Sequence, residues 1–346
     1  MLKTVKDFDI KGKRILVRCD FNVPIDNQGN ILDDFRLKKS LPTIEYLVNN
    51  KAKIILMSHL GEPGGKVVPM LTLDKVKNRL EKLLRMPIMK SADCIGREVE
   101  KDILDLKSGQ VLLLENLRFH EEEEDNDIEF SKKLAALGEA YINDAFSACH
   151  RSHASIVGIP KYLPHGAGLL LQEEVDNLNG VLKNPKRPMV VIIGGLKVKT
   201  KEKFIDEFLE IADWVILGGL VKKEIIQENI ELKHQKKMIA PVDNLEAPDI
   251  SDETIDLFCQ KILLARTIIW NGPLGRIEEE KYKKGTLAIA NAIIESEAFS
   301  VVGGGETIEF LNKEGVISKF SHVSTGGGAM IAYLSGDILP GLKALE

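Results

Sequence analysis

The sequence predicts an α/β protein of two domains, each built on a parallel sheet. Three observations carry that expectation. The chain has 346 residues, and at roughly 100–200 residues per domain that is enough for two separate cores. Short β-branched runs alternate with amphipathic stretches of helical spacing, the pattern of βα units. Near the middle, LLLQEEVDNLNGVLK (Leu169–Lys183) has apolar residues at helical spacing and is followed by the breaker-rich NPKRP, which reads as a connecting helix between two halves.

In the first half, expected as a domain over 1–168, the strand runs are Arg14–Arg18 (RILVR), Lys53–Met57 (KIILM), Val111–Leu114 (VLLL) and Ala140–Asn143 (AYIN). Residues 169–186 form the connecting helix and hinge. In the second half, from 187, the runs are Met189–Ile193, Trp214–Leu217, Met238–Val242, Thr267–Trp270, Ser300–Val302 and His322–Ser324. The densest charge run, His120–Glu129 (HEEEEDNDIE), reads as a solvated loop rather than a metal site.

Composition narrows the function. Lys+Arg number 47 against Asp+Glu 52, a formal charge of −5 with the signs interspersed. That argues against a nucleic-acid coat or a polybasic membrane binder. No apolar run approaches the roughly 18–20 residues of a membrane span, and MLKTVKDFDIKGKR lacks the apolar core of a secretion signal. Cys19, Cys94, Cys149 and Cys259 are scattered with no CxxC pair, so they read as small buried hydrophobes in a reducing compartment. The expectation is a soluble cytoplasmic protein.

Ligands on open α/β sheets bind beyond the carboxyl ends of the strands, and there the halves differ. The first half carries Asp20-Phe21-Asn22, Ser58-His59, Glu115-Asn116-Leu117-Arg118, and Asp144 running into His150-Arg151-Ser152-His153. The second carries Gly194-Gly195, Gly218-Gly219, Asn271-Gly272-Pro273, Gly303-Gly304-Gly305 and Gly326-Gly327-Gly328. Glycine permits close backbone approach, and a helix opening there aims N–H groups and a positive dipole end at an anion. One half is suited to polyphosphate, the other to a small anionic molecule. No segment matches the P-loop pattern, and no glycine turn has the full dinucleotide fingerprint.

Read together, VRCDFNVP (Val17–Pro24), DDFR (Asp33–Arg36), LPTI (Leu41–Ile44), SHLG (Ser58–Gly61), ENLRFH (Glu115–His120), NDAF (Asn143–Phe146) and HRSHAS (His150–Ser155) occur in order. GGLKVKTK (Gly194–Lys201), WNGPLG (Trp270–Gly275), GGGET (Gly303–Thr307), HVSTGGGA (His322–Ala329) and LPG (Leu339–Gly341) follow. In this the chain resembles the phosphoglycerate kinase family almost from end to end. The resemblance implies two Rossmann-like three-layer αβα domains joined by a hinge. The N-terminal one would hold 3-phosphoglycerate, the C-terminal one (187–330) would hold Mg-ATP or Mg-ADP, and a tail (331–346) would return to the first. The reaction would be reversible phosphoryl transfer between ATP and the carboxylate of 3-phosphoglycerate, with the hinge closing on both ligands in a monomer.

The resemblance also implies roles. Asp20, Phe21 and Asn22 would belong to the acceptor site, with Asp20 and Asn22 orienting the acid. Arg118 and Arg151 would hold its phosphate, with help from His59. Arg36 would spread charge in the transition state. Lys197 would bridge the moving phosphoryl group and Lys201 would bind the nucleotide phosphates. Glu278 would meet the ribose. Gly304, Gly305, Glu306 and Thr307 would form the phosphate turn, Glu306 holding Mg2+, and Gly304 and Gly327 would offer N–H groups to the reacting region. Asp144 fits equally a residue that caps or braces the loop before Arg151 and a substrate contact.

Three departures from the family pattern stand out. HLGRP reads His59-Leu60-Gly61-Glu62-Pro63, so a carboxylate replaces an arginine in the acceptor site. GGGD ends in Glu306, one methylene longer. The stretch from Gly218 to Ala265 is shortened by several tens of residues where the family walls its adenine pocket. An active kinase is one reading. A relative acting on another small carboxylic acid, a non-catalytic nucleotide-binding regulator and, less favoured, a nicotinamide-dependent enzyme are the others.

Overall fold

The computed structural model describes residues 2–195 and 202–346. It contains two six-stranded, wholly parallel sheets. In the first, β1 (Arg14–Arg18), β2 (Lys53–Met57), β3 (Met89–Lys90), β4 (Val111–Leu113), β5 (Ala140–Asn143) and β6 (His165–Ala167) lie in the order β3-β4-β2-β1-β5-β6. In the second, β7 (Met189–Ile193), β8 (Trp214–Leu217), β9 (Met238–Ile239), β10 (Thr267–Asn271), β11 (Phe299–Gly303) and β12 (His322–Val323) lie in the order β12-β11-β10-β7-β8-β9. Such sheets are covered on both faces, which is why the strand sequences read as continuous apolar runs. All five residues of β7 and of β10 are buried.

Along a strand alternate residues share a face. Ile15 and Val17, Ile54 and Leu56, Val111 and Leu113 thus enter one core cluster with Leu37, Ile44 and Leu47 of the helix Phe35–Asn49 and Val76 and Leu80 of the helix Asp74–Leu84. The helical members are three, four or seven residues apart, as a buried helix stripe requires.

By proximity of its residues the chain divides into Met1–Val175 with Ile338–Glu346, and Asp176–Asp337. The boundary falls inside the helix Leu169–Lys183. Residues 331–337, assigned on sequence to the returning tail, stay with the second unit, because the helix Gly327–Leu334 buries Ala329, Met330 and Leu334 there. The return begins at Ile338.

The acidic run is not a solvated loop. It forms the short helix Glu121–Glu124 and leads into the helix Ile128–Ala136, capped by the Asp127 carboxylate on the Phe130 N–H at 2.8 Å. Glu123 within it is fully buried, accepting the Ser155 N–H at 2.9 Å and the Ser155 hydroxyl at 2.5 Å. Cys19, Cys94 and Cys149 are buried thiols, while Cys259 is half-buried.

Candidate active site

Register brings the first unit's functional turns to one level. Arg18 pairs with Met57 of β2 and with Asn143 of β5, and Leu56 pairs with Leu113 of β4. The segments starting at Cys19, Ser58, Leu114 and Asp144 therefore leave the sheet side by side. Asp20 is the hub. Its buried carboxylate meets Arg36 Nη1 at 3.0 Å, accepts the Asn22 N–H at 2.9 Å and is bonded by the Ser147 hydroxyl. Burial would raise that carboxyl, but Arg36, His59, Ser147 and the Asn22 N–H outweigh it and hold it at about 2. Asp20 is an anion across the physiological range.

Asn22 ties two turns together. Its carbonyl accepts from Arg36 Nη1 at 2.8 Å, and its side-chain oxygen accepts the Gly61 N–H at 2.8 Å. The Phe21 side chain is fully buried in the core cluster, and only its backbone takes part, donating to Ser58 Oγ at 2.8 Å. Its place in the acceptor motif is therefore that of an anchor for the Asp20–Asn22 turn.

His59 is buried, with Nδ1 3.1 Å from Arg18 Nη2 and 4.0 Å from Asp20 Oδ1. Burial, reinforced by Arg18, Arg118 and Arg36 and opposed only by Asp20, holds it well below the ordinary imidazole value. His153 is held down at about 4 by burial and the neighbouring guanidinium groups of Arg118, Arg18 and Arg151. The positive charge of this site therefore belongs to its arginines.

Arg118 is buried, donating to the Gly61 carbonyl at 3.0 Å, and two carboxylates already sit on it. Glu62 Oε1 is 2.6 Å from Nη1, and Glu124 Oε1 is 3.0 Å from Nε but off the N–H direction, leaving Nε without a hydrogen bond. Glu62 itself is 69% exposed, so it reaches the guanidinium from the solvent side. Arg151 is exposed and, among the described residues, in no ion pair. Asp144 is fully buried and accepts the Leu170 and Leu171 N–H groups at 3.0 and 3.3 Å, so it caps the helix Leu169–Lys183 and does not brace the loop before Arg151.

In the second unit Asn271 aligns with Ile193 and Gly303, and Ile193 with Leu217, so its glycine turns also start at one level. They serve two purposes. A side chain at Gly194 would lie 2.0 Å from the Pro273 carbonyl oxygen, and one at Gly219 2.4 Å from that of Leu245. These glycines answer to neighbouring backbone. Gly305 and Gly328, by contrast, have no atom of the described residues within 4 Å of where a side chain would start. The helices Gly219–Gln227, Gly305–Lys313 and Gly327–Leu334 begin after a glycine, and no side chain caps them. Their first N–H groups are thus left for a ligand or water. Gly304 and Gly327 meet closely, since a side chain at Gly327 would be 2.7 Å from the Gly304 nitrogen. Thr307 Oγ1 is buried with no hydrogen-bond partner among the described residues, and Glu306 is exposed beside it. A cavity of about 410 Å³ is lined by Gly218, Gly219, Leu220, Leu245, Glu278 and Glu306, a size suited to a small-molecule ligand. Residues 241–250 of the shortened stretch still supply one of its walls. Lys197 and Lys201 lie outside the described residues.

Sequence reasoning missed Arg18, Ser147, Ser155 and Glu123. Arg18 and Ser155 stand inside family motifs, but nothing in the sequence marked Glu123 as their buried partner. Asp93, Cys94 and His120 bring potential ligand atoms within 4.8 Å of one another. Asp93 and His120 already form an ion pair of 2.7 Å, which accounts for their closeness.

Fold and sites together define a two-unit α/β phosphotransferase, with an arginine–carboxylate cluster on one sheet and open helix ends on the other. Comparison with known proteins carries this to a family. The family model described as Phosphoglycerate kinase matches residues 5–230 and 221–337. Relatives named Phosphoglycerate kinase from Moorella thermoacetica and from Borrelia garinii subsp. bavariensis are each 43% identical, covering 99% and 100% of this chain and 98% and 99% of their own. The crystal structure of phosphoglycerate kinase from Pyrococcus horikoshii OT3 superposes with a TM-score of 0.90 at 32% identity, covering 100% of this chain and 98% of that one. The chain belongs to the phosphoglycerate kinase family. The Moorella alignment runs over 387 positions, more than the chain's 346 residues, and the family match comes in two segments that overlap at 221–230, within the stretch expected to be short.

Proposed function

We propose that this chain catalyses reversible phosphoryl transfer between ATP and the carboxylate of 3-phosphoglycerate, giving ADP and 1,3-bisphosphoglycerate, as a monomer in the cytoplasm and without nucleic-acid or membrane partners. The observation that carries this reading is the Asp20–Asn22–Arg36–His59–Arg118 cluster in a chain that matches the family from end to end. Asp20 and Asn22 orient the acid, while Arg118 and Arg151 hold its phosphate. Arg36, fixed by Asp20 and the Asn22 carbonyl, presents a preorganised cation where charge spreads in the transition state. On the other sheet the open N–H groups at Gly304–Gly305 and Gly327–Gly328 take phosphate oxygens, and Leu220 and Glu278 line the cavity that takes the nucleoside.

The residues present fit magnesium. An exposed Glu306 and the unpartnered Thr307 hydroxyl share one helix turn, and magnesium is commonly held by one or two carboxylates plus phosphate oxygens. Bound there, the ion neutralises charge on the nucleotide phosphates. Lys197 and Lys201 are proposed, on their motif, as ligands of the transferred phosphoryl group and of the nucleotide phosphates. Because acceptor and donor groups belong to different units, transfer also requires closure about the hinge, and the radius of gyration in solution should fall only with both ligands.

The decisive experiment is a coupled assay with ATP, magnesium and 3-phosphoglycerate, run beside a panel of other hydroxy acids. Arg36→Ala should keep the native circular dichroism spectrum and lose at least about tenfold in turnover, or roughly 1.4 kcal/mol of transition-state stabilisation. Nucleotide binding with no turnover on any acid would leave a regulator in place of a kinase.

A further inference from the structure

Behind the acceptor cluster lies a buried chain of polar groups whose hydrogen-bond directions can be assigned throughout. Arg18 is 1% exposed and, as a guanidinium, can only donate. Its Nη2 lies 3.1 Å from His59 Nδ1, its Nη1 is bonded to the Cys19 carbonyl, and its Nε donates to Ser155 Oγ at 2.8 Å. Ser155 Oγ accepts there and gives its own proton to the carboxylate oxygen Glu123 Oε1 at 2.5 Å, while Glu123 Oε2 takes the Ser155 N–H at 2.9 Å. The Tyr141 hydroxyl holds the Ser155 carbonyl at 2.6 Å. Since Arg18 must donate, Nδ1 of His59 must accept, and the ring's proton sits on Nε2.

We propose that Arg18 is a positioning residue that holds His59 as a neutral imidazole protonated on Nε2, and that Glu123, acting through Ser155, keeps Arg18 in that geometry. This rests on the acceptor-site reading of His59 given above. The charged groups acting on the ring support neutrality. Arg18, Arg36 and Arg118 oppose a proton, and the one carboxylate near it among the described residues, Asp20 at 4.0 Å, is engaged by Arg36, Ser147 and the Asn22 N–H. The consequence is functional. His59 offers an acidic substrate a neutral N–H donor whose strength does not change where an ordinary imidazole titrates.

Nitrogen-15 spectra of histidine-labelled full-length protein, with the His59 signals assigned through His59→Gln, read the tautomer directly. In wild type Nδ1 should be unprotonated and Nε2 protonated between about pH 5 and 8. Arg18→Lys keeps a charge but cannot span Ser155 and His59, and Ser155→Ala releases Nε. Both should mix the tautomers and let His59 take up a proton at low pH. In both, KM for 3-phosphoglycerate should then fall about fivefold relative to wild type at acid pH, the difference between a neutral and a charged donor. A wild-type ring protonated on Nδ1, or titrating like free imidazole, overturns the proposal even if a variant fails to fold. So does an unchanged tautomer in folded Arg18→Lys. The spectrum is independent of turnover, so failure of the kinase reading would show separately in the assay.

Discussion

At the scale of single residues, Glu62 has the most visible effect on the acceptor site. Its carboxylate occupies Arg118 at 2.6 Å, so a phosphate held by Arg118, as proposed, would have to displace it. The pair is reached from solvent, and exposed ion pairs are worth about 0–1 kcal/mol. Glu62→Gln should therefore tighten 3-phosphoglycerate by no more than about fivefold. Glu62→Arg also adds a charge-assisted contact of roughly 1.5–3 kcal/mol and should tighten it by about one to two powers of ten. Calorimetric affinities for the three proteins test this, and three equal values would mean that the phosphate does not use Arg118. Asp20, Asn22 and Arg36 were legible because one motif carries the first two and another the third. The Arg18–Ser155–Glu123 chain was not. It joins residues far apart in sequence, and a glutamate within a run of acids reads as solvated until its buried partners are known.

At the scale of elements, β-branched runs located ten strands, nine of them to within one residue at either end. The run Met238–Val242 overshot β9, which ends at Ile239 because Pro241 interrupts it. Such runs could not reveal β3 and β6, because Met-Lys and His-Gly-Ala carry neither alternation nor β-branching. The glycine turns were legible as a group, but the sequence could not separate glycines demanded by neighbouring backbone from those left open. The structure makes that separation testable. Gly327→Ala places a carbon 2.7 Å from the Gly304 nitrogen and should lower the melting temperature, whereas Gly328→Ala meets none of the described residues within 4 Å. The second change should leave stability equal or raise it by up to about 1 kcal/mol while weakening nucleotide binding. Unaltered binding of ATP by a folded Gly328→Ala would remove that helix end from the phosphate site.

The cap of the connecting helix gives a second test at this scale. Burial outweighs the Thr43, Leu171 and Leu170 hydrogen bonds and raises the Asp144 carboxyl from its ordinary 3.8 to about 7. Between those values the folded protein holds a proton that the unfolded chain has released, so stability falls as pH rises through that window and is independent of this group below it. Asp144→Asn keeps an oxygen for the Leu170 and Leu171 N–H groups and cannot ionise. It should match wild type near about pH 4 and exceed it above about pH 7, by at most about 4 kcal/mol. Denaturant titrations across pH check this, and parallel curves for the two proteins would refute it.

At the scale of the whole molecule, the chain builds one unit, crosses through Leu169–Lys183, builds the second, and returns nine residues, Ile338–Glu346, to the first. The family resemblance implied that return, but an apolar helix such as Gly327–Leu334 does not announce which core it belongs to, and so the start of the tail was placed too early. The first unit is consequently complete only when the end of the chain is in place. Leu339 and Leu345 are buried there, the Gly341 N–H donates to the Cys149 carbonyl at 2.9 Å, and any side chain at 341 would meet the Cys149 Cα at 2.8 Å. At about 1.5–3 kcal/mol for each buried leucine, truncation after Asp337 should destabilise the first unit by up to about 6 kcal/mol. Both tryptophans, Trp214 and Trp270, lie in the second unit, so their fluorescence follows that unit alone while far-ultraviolet circular dichroism follows both. The truncated chain should show an early transition by circular dichroism with the tryptophan transition unmoved. An equal shift of both signals would show that the two units unfold as one, and no shift of either would show that the tail contributes nothing to the first core.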